Sequence, residues 1–341
     1  MRQLRSSNDA FDDPAELRRR LREDGYLFFR RLQDPDRLLE LRRDITAVLM
    51  EAGWLEPGTD PMDGIARAGA ECTEGDASYT QGYHQMYRLE SFHRAGHWPS
   101  VVAMMEKLLD APVLPHPQKI ARLWFPRYTE HTTPIHQDFV HFQGSYDTLT
   151  CWAPVGDCPV ELGGLAVLPG SHKVNRLRRH RFSLGAGALA IDTAELDDNW
   201  HTTDYACGDS LIFDSLMVHQ ALPNYTADRL RISLDNRYQR AAEPVAAHML
   251  EPHLQTLAPL DWDEVYRGWS SAEEQYYWRR HDLQVTPTIT RWREQGFAEA
   301  LDLARGGDPR AKHALRRVVH RAPDTEQGQQ AAAVLEESGA L

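Results

Sequence analysis

The sequence predicts a mainly β core with flanking helices, built as an antiparallel barrel or a double-sheet jelly roll. Short strand-like runs follow one another between about residues 118 and 240, and Gly, Pro, Asn or Asp separates several of them. That pattern is typical of such antiparallel architectures. Helical patterns precede these runs, and an Ala-, Leu- and Arg-rich segment follows them. The predicted order is therefore helices, a β core and a C-terminal helical extension.

The first hundred residues carry helix signals. In DDPAELRRRLRED a proline lies early in the first turn, and Gly25 follows as a stop signal. YLFFRRL then predicts a short strand. DPDRLLELRRDITAVLMEAGW and WPSVVAMMEKLLDAP predict two further helices from their apolar spacing. The stretch 56–83 is rich in Gly, Asp and Ala, which predicts irregular loops.

The predicted β core consists of the runs KIARLWF, IHQDFVHF, DTLTCWAPV, GLAVLPGSH, DSLIFDSLMVHQA and RLRISLDNRYQ. After Arg240 the segments WDEVYRGW and SAEEQYYWRRH predict helices again. The tail, with breaks at GGDP and APDT, resembles a fragment of a helical repeat that packs on the barrel or on a partner subunit. We expect one domain over 1–286, with helices over residues 1–112, a jelly-roll core over 113–240 and helices again over 241–286, and an extension over 287–341.

Composition excludes several classes of protein. The formal net charge of −12 argues against a general nucleic-acid binder, and no apolar run approaches the ~18 residues of a membrane span. The start of the chain has no apolar signal region, and the four cysteines form no C-x-x-C pair. We therefore expect free thiols in a cytoplasmic protein. The basic stretch RLRRHR at 176–181 favours a solvated loop, with a clamp for an anionic substrate as the alternative.

A His-x-Asp tripeptide is the first candidate for chemistry. On a strand, His136 and Asp138 would point to the same face, and Gln137 would point away. His219 follows a later apolar strand and supplies a third candidate ligand. Two histidines and one carboxylate form the facial triad of non-haem Fe(II) oxygenases. The alternative is a hydrogen-bonded core histidine and a turn-capping aspartate.

The strand RLRISLDNRYQ supplies a candidate anion site. Arg229, Arg231 and Ser233 alternate, so they share one face. A buried arginine needs an anion, and guanidinium pairs with a carboxylate through two parallel hydrogen bonds. The arrangement suits the distal carboxylate of 2-oxoglutarate. The alternative is an outward-facing edge strand with surface salt bridges.

Taken in order, these motifs resemble the phytanoyl-CoA dioxygenase family of Fe(II)/2-oxoglutarate oxygenases, which contains ectoine hydroxylase and many small-molecule tailoring enzymes. The resemblance extends from LREDGYLFFRRL to RISLDNRYQ. It includes HQD, the strand ending in Cys151-Trp152, GGLAVLPGSHK, GDSLIF and HQALPN. The family's fold is a double-stranded β-helix, a cupin-like jelly roll.

The resemblance implies a set of site residues. It implies iron ligands at His136, Asp138 and His219, and a 2-oxoglutarate anchor at Arg231 with Ser233 beside it. Trp152 matches a tryptophan that lines the 2-oxoglutarate pocket, and Gln118 would face that pocket from the strand upstream of HQD. Two departures are Ala221, where the family often has serine or glycine, and the arginine spacing, which leaves Arg229 as a rival to Arg231.

Candidates for substrate contact are fewer and less specific. Tyr83, Gln85 and Tyr87 lie in a polar, aromatic stretch before the barrel, and such loops often cover the mouths of these sites. Phe139 and His141 follow the His-x-Asp motif. On an undistorted strand His141 would face away from residues 136 and 138, which favours solvent exposure over a contact in the site.

The function implied is hydroxylation of a small molecule, with 2-oxoglutarate and O2 converted to succinate and CO2. Halogenation is disfavoured because Asp138 fills the position that a halide needs. Desaturation and ring formation remain open, as do the substrate and the oligomeric state. The alternatives are a zinc hydrolase or isomerase on a cupin-like barrel, and a non-catalytic binding subunit.

Overall fold

The computed structural model describes residues 1–194, 196–255 and 258–340. Its strands are β1 (Arg2–Gln3), β2 (Tyr26–Phe29), β3 (Val113–Pro115), β4 (Ile120–Trp124), β5 (His136–Gln137), β6 (Leu149–Pro154), β7 (Leu165–Val167), β8 (His180–Phe182), β9 (Leu189–Ile191), β10 (His201–Thr202), β11 (Ser210–Asp214), β12 (Val218–Ala221), β13 (Arg231–Arg240), β14 (Val245–Ala246) and β15 (Val285–Thr286). Its α-helices are α1 (Pro14–Asp24), α2 (Pro35–Glu51), α3 (Ala77–Tyr87), α4 (Glu90–Ala95), α5 (Pro99–Leu109), α6 (Phe139–Phe142), α7 (Trp262–Val265), α8 (Arg291–Arg305), α9 (Pro309–Arg321) and α10 (Glu326–Glu337).

Two β-sheets form the core, as a jelly roll requires. One sheet has the strand order β2-β11-β6-β13-β3, with β4 also paired to β13, and the other has the order β1-β10-β7-β12-β5. Nearly all pairs within these sheets are antiparallel; β1 and β10 run parallel. The predicted mainly β core of jelly-roll type is therefore confirmed.

Side chains alternate along the strands of the six-stranded sheet, so that one set faces the other sheet and the second set faces the helices. On β6, Trp152 points between the sheets, whereas its neighbour Cys151 packs with Leu27 and Ile212 beneath the helices. On β13, Ile232 and Leu234 pack outward against helices α2 and α3. The odd-numbered residues of β13 thus face the interior, and they are polar.

The predicted N-terminal helices are confirmed, and their ends follow from local chemistry. The Asp13 carboxylate accepts a hydrogen bond from the Glu16 N–H at 3.0 Å, which caps α1. Gly25 ends α1 with a left-handed φ of 80° that glycine adopts without strain. Asp34 caps α2 in the same way through the Asp36 N–H. These helices bury apolar faces on the outer side of the six-stranded sheet.

Three predictions of secondary structure are wrong in some of their residues. The run IHQDFVHF is a strand only at His136–Gln137, because Asp138 adopts helical dihedrals and starts the turn α6. The stretch 56–83 is not all irregular, since α3 begins at Ala77 and buries Tyr79 and Tyr83. WDEVYRGW and SAEEQYYWRRH form only the short helix α7 and a 3₁₀ turn at Tyr277–Arg280, where their aromatic side chains pack into the core instead.

The C-terminal extension forms three helices, α8 to α10, which pack on the jelly roll. Their shared core contains Ala304, Leu315 and Leu335, together with Phe182 of β8. The Phe182 N–H also donates to the Glu299 carboxylate at 2.8 Å. The helix–turn–helix pattern is confirmed; of the two packing partners expected, the barrel or a partner subunit, the structure shows contact with the β8–β9 hairpin of the same chain. Among the residues that the structure describes, no helix combines the length and the apolar character needed to cross a membrane.

Candidate functional site

Three candidate metal ligands meet between the two sheets. β12 pairs with β5 so that His219 lies directly opposite His136, and Asp138 follows β5 at the start of α6. Nε2 of His136 lies 3.3 Å from Oδ1 of Asp138, and Nε2 of His219 lies 3.8 Å from the same oxygen. One ligand atom from each residue lies within 4.8 Å of the other two, and all three residues are buried. Asp138 joins the histidines through the turn of α6, not through the strand alternation predicted above.

Backbone carbonyls orient both imidazoles. Nδ1 of His136 lies 2.7 Å from the Pro134 carbonyl, and Nδ1 of His219 lies 3.0 Å from the Met217 carbonyl. A carbonyl only accepts, so each Nδ1 carries a hydrogen and Nε2 is the ring nitrogen that faces the candidate metal position. Burial, reinforced by the neighbouring His136, lowers the pKa of His219 to about 3. The His219 ring is therefore neutral at physiological pH, which is the form that binds a metal.

Two residues on the six-stranded sheet hold the Asp138 carboxylate. The Thr150 hydroxyl donates to Oδ2 at 2.6 Å, and Nη2 of Arg237 lies 3.3 Å from Oδ1 and 3.4 Å from Oδ2. Burial alone would raise the pKa of Asp138, but the Arg237 guanidinium and the two histidines hold that pKa well below its usual value. The carboxylate is thus ionised and fixed in orientation.

Arg231 lies at the other end of the same cavity. It is fully buried, its guanidinium stacks 3.6 Å from the centre of the Trp124 ring, and Nη1 donates to the Ser233 hydroxyl at 2.6 Å. Burial lowers the pKa of Arg231 to about 10, so it stays charged at neutral pH. Its Nε and Nη2 have no hydrogen-bond partner among the described residues. The rival Arg229 is exposed.

The cavity between these two ends measures about 350 Å³. Trp152 lines it, and its buried indole Nε1 has no partner in the described part of the chain. Arg122 of β4 also lines it, with Nε 3.3 Å from Oδ2 of Asp235 and Nη1 bonded to the Glu74 carboxylate. The walls therefore carry the candidate metal ligands and three arginines: Arg231 without an acid partner among the described residues, Arg122 held by two acids and Arg237 held by Asp138.

His141 lies beside the metal end, which corrects the expectation of solvent exposure. α6 is helical, so His141 is one turn from Asp138 and its N–H donates to the Asp138 carbonyl at 2.9 Å. The His141 and His136 rings are 5.3 Å apart. Burial, reinforced by the neighbouring His136, holds the pKa of His141 well below its usual value. Phe139 instead stacks on Tyr146, at 4.1 Å between ring centres.

Four other candidates lie away from the cavity wall. Gln118 is in the β3–β4 connection, not on a strand, and its amide donates to the carbonyls of His248 and Glu251. Tyr83 and Tyr87 are not lid residues, because helix α3 turns both into the aromatic core. Tyr83 there contacts His253, with 2.8 Å between its hydroxyl and Nδ1. Gln85 is exposed on the opposite face of α3.

Sequence reasoning missed Thr150, Arg237 and the Glu74–Arg122–Asp235 network. Arg237 carried a usable signal, because it continues the alternation of Arg231, Ser233 and Asp235 along β13. The pairing of Glu74 with Arg122 had no local signal, since the two residues are far apart in sequence.

The residues present fit iron and 2-oxoglutarate. Two imidazoles and one carboxylate on one side of a cavity are the donor set of a facial triad, which leaves positions open for other ligands. Buried donors without partners on Arg231 are suited to a carboxylate that enters the cavity.

A family model described as phytanoyl-CoA dioxygenase (PhyH) matches residues 21–233, which is more than half of the chain. The chain belongs to the phytanoyl-CoA dioxygenase family. It is accordingly a non-haem iron, 2-oxoglutarate-dependent dioxygenase, with iron and 2-oxoglutarate as its cofactor and co-substrate. This agrees with the resemblance inferred from the ordered motifs.

Two curated relatives of this phytanoyl-CoA dioxygenase family member are enzymes that act on small molecules. Both are named 1-deoxypentalenic acid 11-beta-hydroxylase. The protein from Streptomyces exfoliatus is 26% identical over 255 residues, which cover 71% of this chain and 86% of the relative. The protein from Streptomyces arenae is 27% identical over the same length and coverage.

Solved structures of similar proteins include an epimerase and a 2-oxoglutarate complex. The epimerase SnoN, in complex with Fe3+, alpha ketoglutarate and nogalamycin RO, is 21% identical with a TM-score of 0.48, covering 68% of this chain and 85% of its own. EvdO2 from Micromonospora carbonacea var. aurantiaca, complexed with 2-oxoglutarate, is 19% identical with a TM-score of 0.46, covering 66% and 89%.

Proposed function

We propose that this dioxygenase hydroxylates a small-molecule substrate, with iron bound by His136, Asp138 and His219 and 2-oxoglutarate anchored by Arg231. The observation that carries the proposal is the composition of a single cavity. Three convergent ligand atoms lie at one end, and a fully buried guanidinium with free donors lies at the other.

Each residue has a defined task in this proposal. The imidazoles of His136 and His219 donate their Nε2 lone pairs to the metal, and the carbonyls of Pro134 and Met217 keep both rings in that tautomer. Asp138 offsets one unit of the metal's charge. Thr150 and Arg237 occupy one side of its carboxylate, which leaves Oδ1 turned toward both Nε2 atoms.

At the far end, Arg231 binds the distal carboxylate of 2-oxoglutarate through donors that are otherwise unpaired. The Ser233 hydroxyl already accepts from Arg231, so its own hydrogen is free to donate to the same carboxylate. The indole N–H of Trp152 provides another donor on the wall. Iron and 2-oxoglutarate, when bound, supply the activation of O2 and the oxidation of a substrate C–H bond, with release of succinate and CO2.

Hydroxylation is the favoured outcome for two reasons. Asp138 would fill the coordination position that a halide needs, so halogenation is disfavoured. The curated relatives are both named as hydroxylases of a small organic acid.

The test is an anaerobic titration of the Fe(II)-loaded protein with 2-oxoglutarate. We expect a visible absorption band to appear when the keto acid chelates the iron, and succinate to form once O2 and a substrate are added. The Asp138→Ala variant should give neither signal. Formation of the band and of succinate at wild-type levels in that variant would contradict the assignment of ligands.

A further inference from the structure

A second and larger cavity lies outside the catalytic one. It is a groove of about 1040 Å³, compared with about 350 Å³ for the catalytic cavity. One wall is helix α3, which contributes Thr80, Gln81, His84 and Gln85, with Arg88 directly after its end. These positions recur at helical spacing and form one face of α3. The other wall includes His320 and Arg321 at the end of α9.

The charge of this groove is positive. Arg88 and Arg321 line it together with two histidines, and no Asp or Glu is among the described lining residues. Nη2 of Arg88 lies 4.0 Å from Oε1 of Glu264, but both side chains are exposed, by 42% and 38%, so that pair is weak. Arg321 makes no ion pair with any residue that the structure describes. The groove therefore has positive charge that the protein does not neutralise.

His84 lines the groove and carries a buried ring nitrogen without a partner among the described residues. The residue is only 7% exposed, and its Nε2 has no hydrogen-bond partner within the described ranges of the chain. A buried ring nitrogen without a partner costs stability unless a ligand or water satisfies it.

The turn 73–76 lies between the groove and the catalytic cavity. Gly75 lines the groove, and the preceding Glu74 binds Arg122 on the catalytic wall. On its outer side, Asp76 pairs with Arg317 of α9, at 3.3 Å between Oδ1 and Nε. This turn is therefore the partition between the two cavities, and the C-terminal extension holds it in place.

We propose that this groove binds an anionic group of the substrate, a carboxylate or a phosphate monoester, while the remainder of the molecule extends past the turn 73–76 to the metal. The inference rests on the proposed function, because it assigns a substrate class to the same enzyme. The catalytic cavity already contains the groups assigned to iron and 2-oxoglutarate, so a larger substrate needs volume outside it. The groove provides that volume together with Arg321, which has no acidic partner among the described residues, and the weakly paired Arg88.

The experiment uses three probes with the same alkyl chain, hexanoate, hexyl phosphate and hexanamide, added anaerobically to the Fe(II) and 2-oxoglutarate complex. Calorimetry gives the affinity of each probe for the wild type, for Arg88→Gln/Arg321→Gln, and for the control Arg316→Gln. Arg316 is exposed on the same helix α9 and does not line the groove. Thermal melting of each variant checks its folding.

We expect at least one anionic probe to bind about tenfold or more tightly than hexanamide, a difference of about 1.4 kcal/mol. The double variant should lose this preference, and Arg316→Gln should keep it. Which anion binds better distinguishes a carboxylate substrate from a phosphate ester. Equal affinity for all probes, no binding, or a preference that survives in the double variant would overturn the proposal. The absorption band of the wild type with 2-oxoglutarate tests the proposed function separately, since it needs no probe.

Discussion

At the metal end of the catalytic cavity the protein holds the candidate ligands with its own hydrogen bonds, whereas at the Arg231 end its described residues leave buried guanidinium donors free. The carbonyls of Pro134 and Met217 bind the two imidazoles, and Thr150 donates to the Asp138 carboxylate. By contrast, Nε and Nη2 of Arg231 are buried without a partner in the described structure. The metal end is thus ordered before any ligand arrives, and the other end depends on its ligand for electrostatic compensation.

Loss of one side chain should reduce the activity of the enzyme more at the metal end of the cavity than at the Arg231 end. Asp138→Ala removes the only carboxylate of the ligand set, so we expect iron affinity and substrate-dependent succinate formation to fall by more than about 100-fold. Equilibrium dialysis of Fe(II) and a succinate assay measure both quantities. Asp44→Ala, at an exposed position on α2, is the matched control and should behave as wild type. Normal iron binding in Asp138→Ala would show that the carboxylate is not a metal ligand. The contrast between the metal end and the Arg231 end would then not hold.

Loss of the free guanidinium should affect 2-oxoglutarate and spare the metal. Arg231→Gln is expected to raise the KM for 2-oxoglutarate roughly 100-fold, because a buried ion pair of this kind contributes about 2–5 kcal/mol when one partner is truncated. Iron affinity should change little. Arg229→Gln, two positions away and exposed, should change the KM less than about twofold. The reverse ranking of the two arginines would mean that Arg229 is the anchor.

The unpaired charge of Arg231 should also lower the free energy of unfolding of the protein without 2-oxoglutarate. Without 2-oxoglutarate, Arg231→Met is expected to increase the free energy of unfolding by about 1–3 kcal/mol, since it removes buried donors that lack partners. Added 2-oxoglutarate should stabilise the iron-loaded wild type and not the variant. Denaturant titration with and without the keto acid measures both effects. A variant less stable than the wild type would show that the guanidinium is satisfied in the free enzyme.

The smallest effect should come from removing the hydrogen bond that orients the Asp138 carboxylate. Thr150→Val removes the 2.6 Å hydrogen bond to Oδ2 of Asp138 and keeps the side-chain shape. We expect iron affinity to fall about tenfold, as for other groups that orient a metal ligand. Thr148→Val is the control, because its hydroxyl donates to the Ser145 carbonyl instead. Equal iron affinities for the two variants would mean that Arg237 alone orients Asp138.

The strand pattern and the capped N-terminal helices could be read from the sequence because their signals are local. Alternation, proline and glycine positions and capping aspartates act within a few residues. The ending of β5 after Gln137 was not readable, since the aromatic neighbours of Asp138 favour a strand and tertiary packing selects the helical turn α6. Because α6 replaces the expected strand, His141 lies beside the metal end and not on the opposite face.

The spacing of the aromatic residues in α3 predicts a helix, although the composition of the segment before them favours a loop. Tyr79, Tyr83 and Tyr87 recur every four positions, which is helical spacing. The Gly- and Asp-rich residues before them favour a loop, and a loop in that place suggests a lid. The pairing of Glu74 with Arg122 was beyond sequence reasoning, because the two residues meet only through the packing of α3 on the sheet.

The direct pairing of His136 with His219 has a consequence for how the enzyme acquires its metal. These two residues become neighbours only after strands that are far apart in the chain have closed a long loop, which is a slow and entropically costly event. A partly folded chain therefore has no complete binding site to offer a ferrous ion. Binding of the ion would therefore stabilise only those molecules in which the edge of the second sheet has been assembled in the correct register.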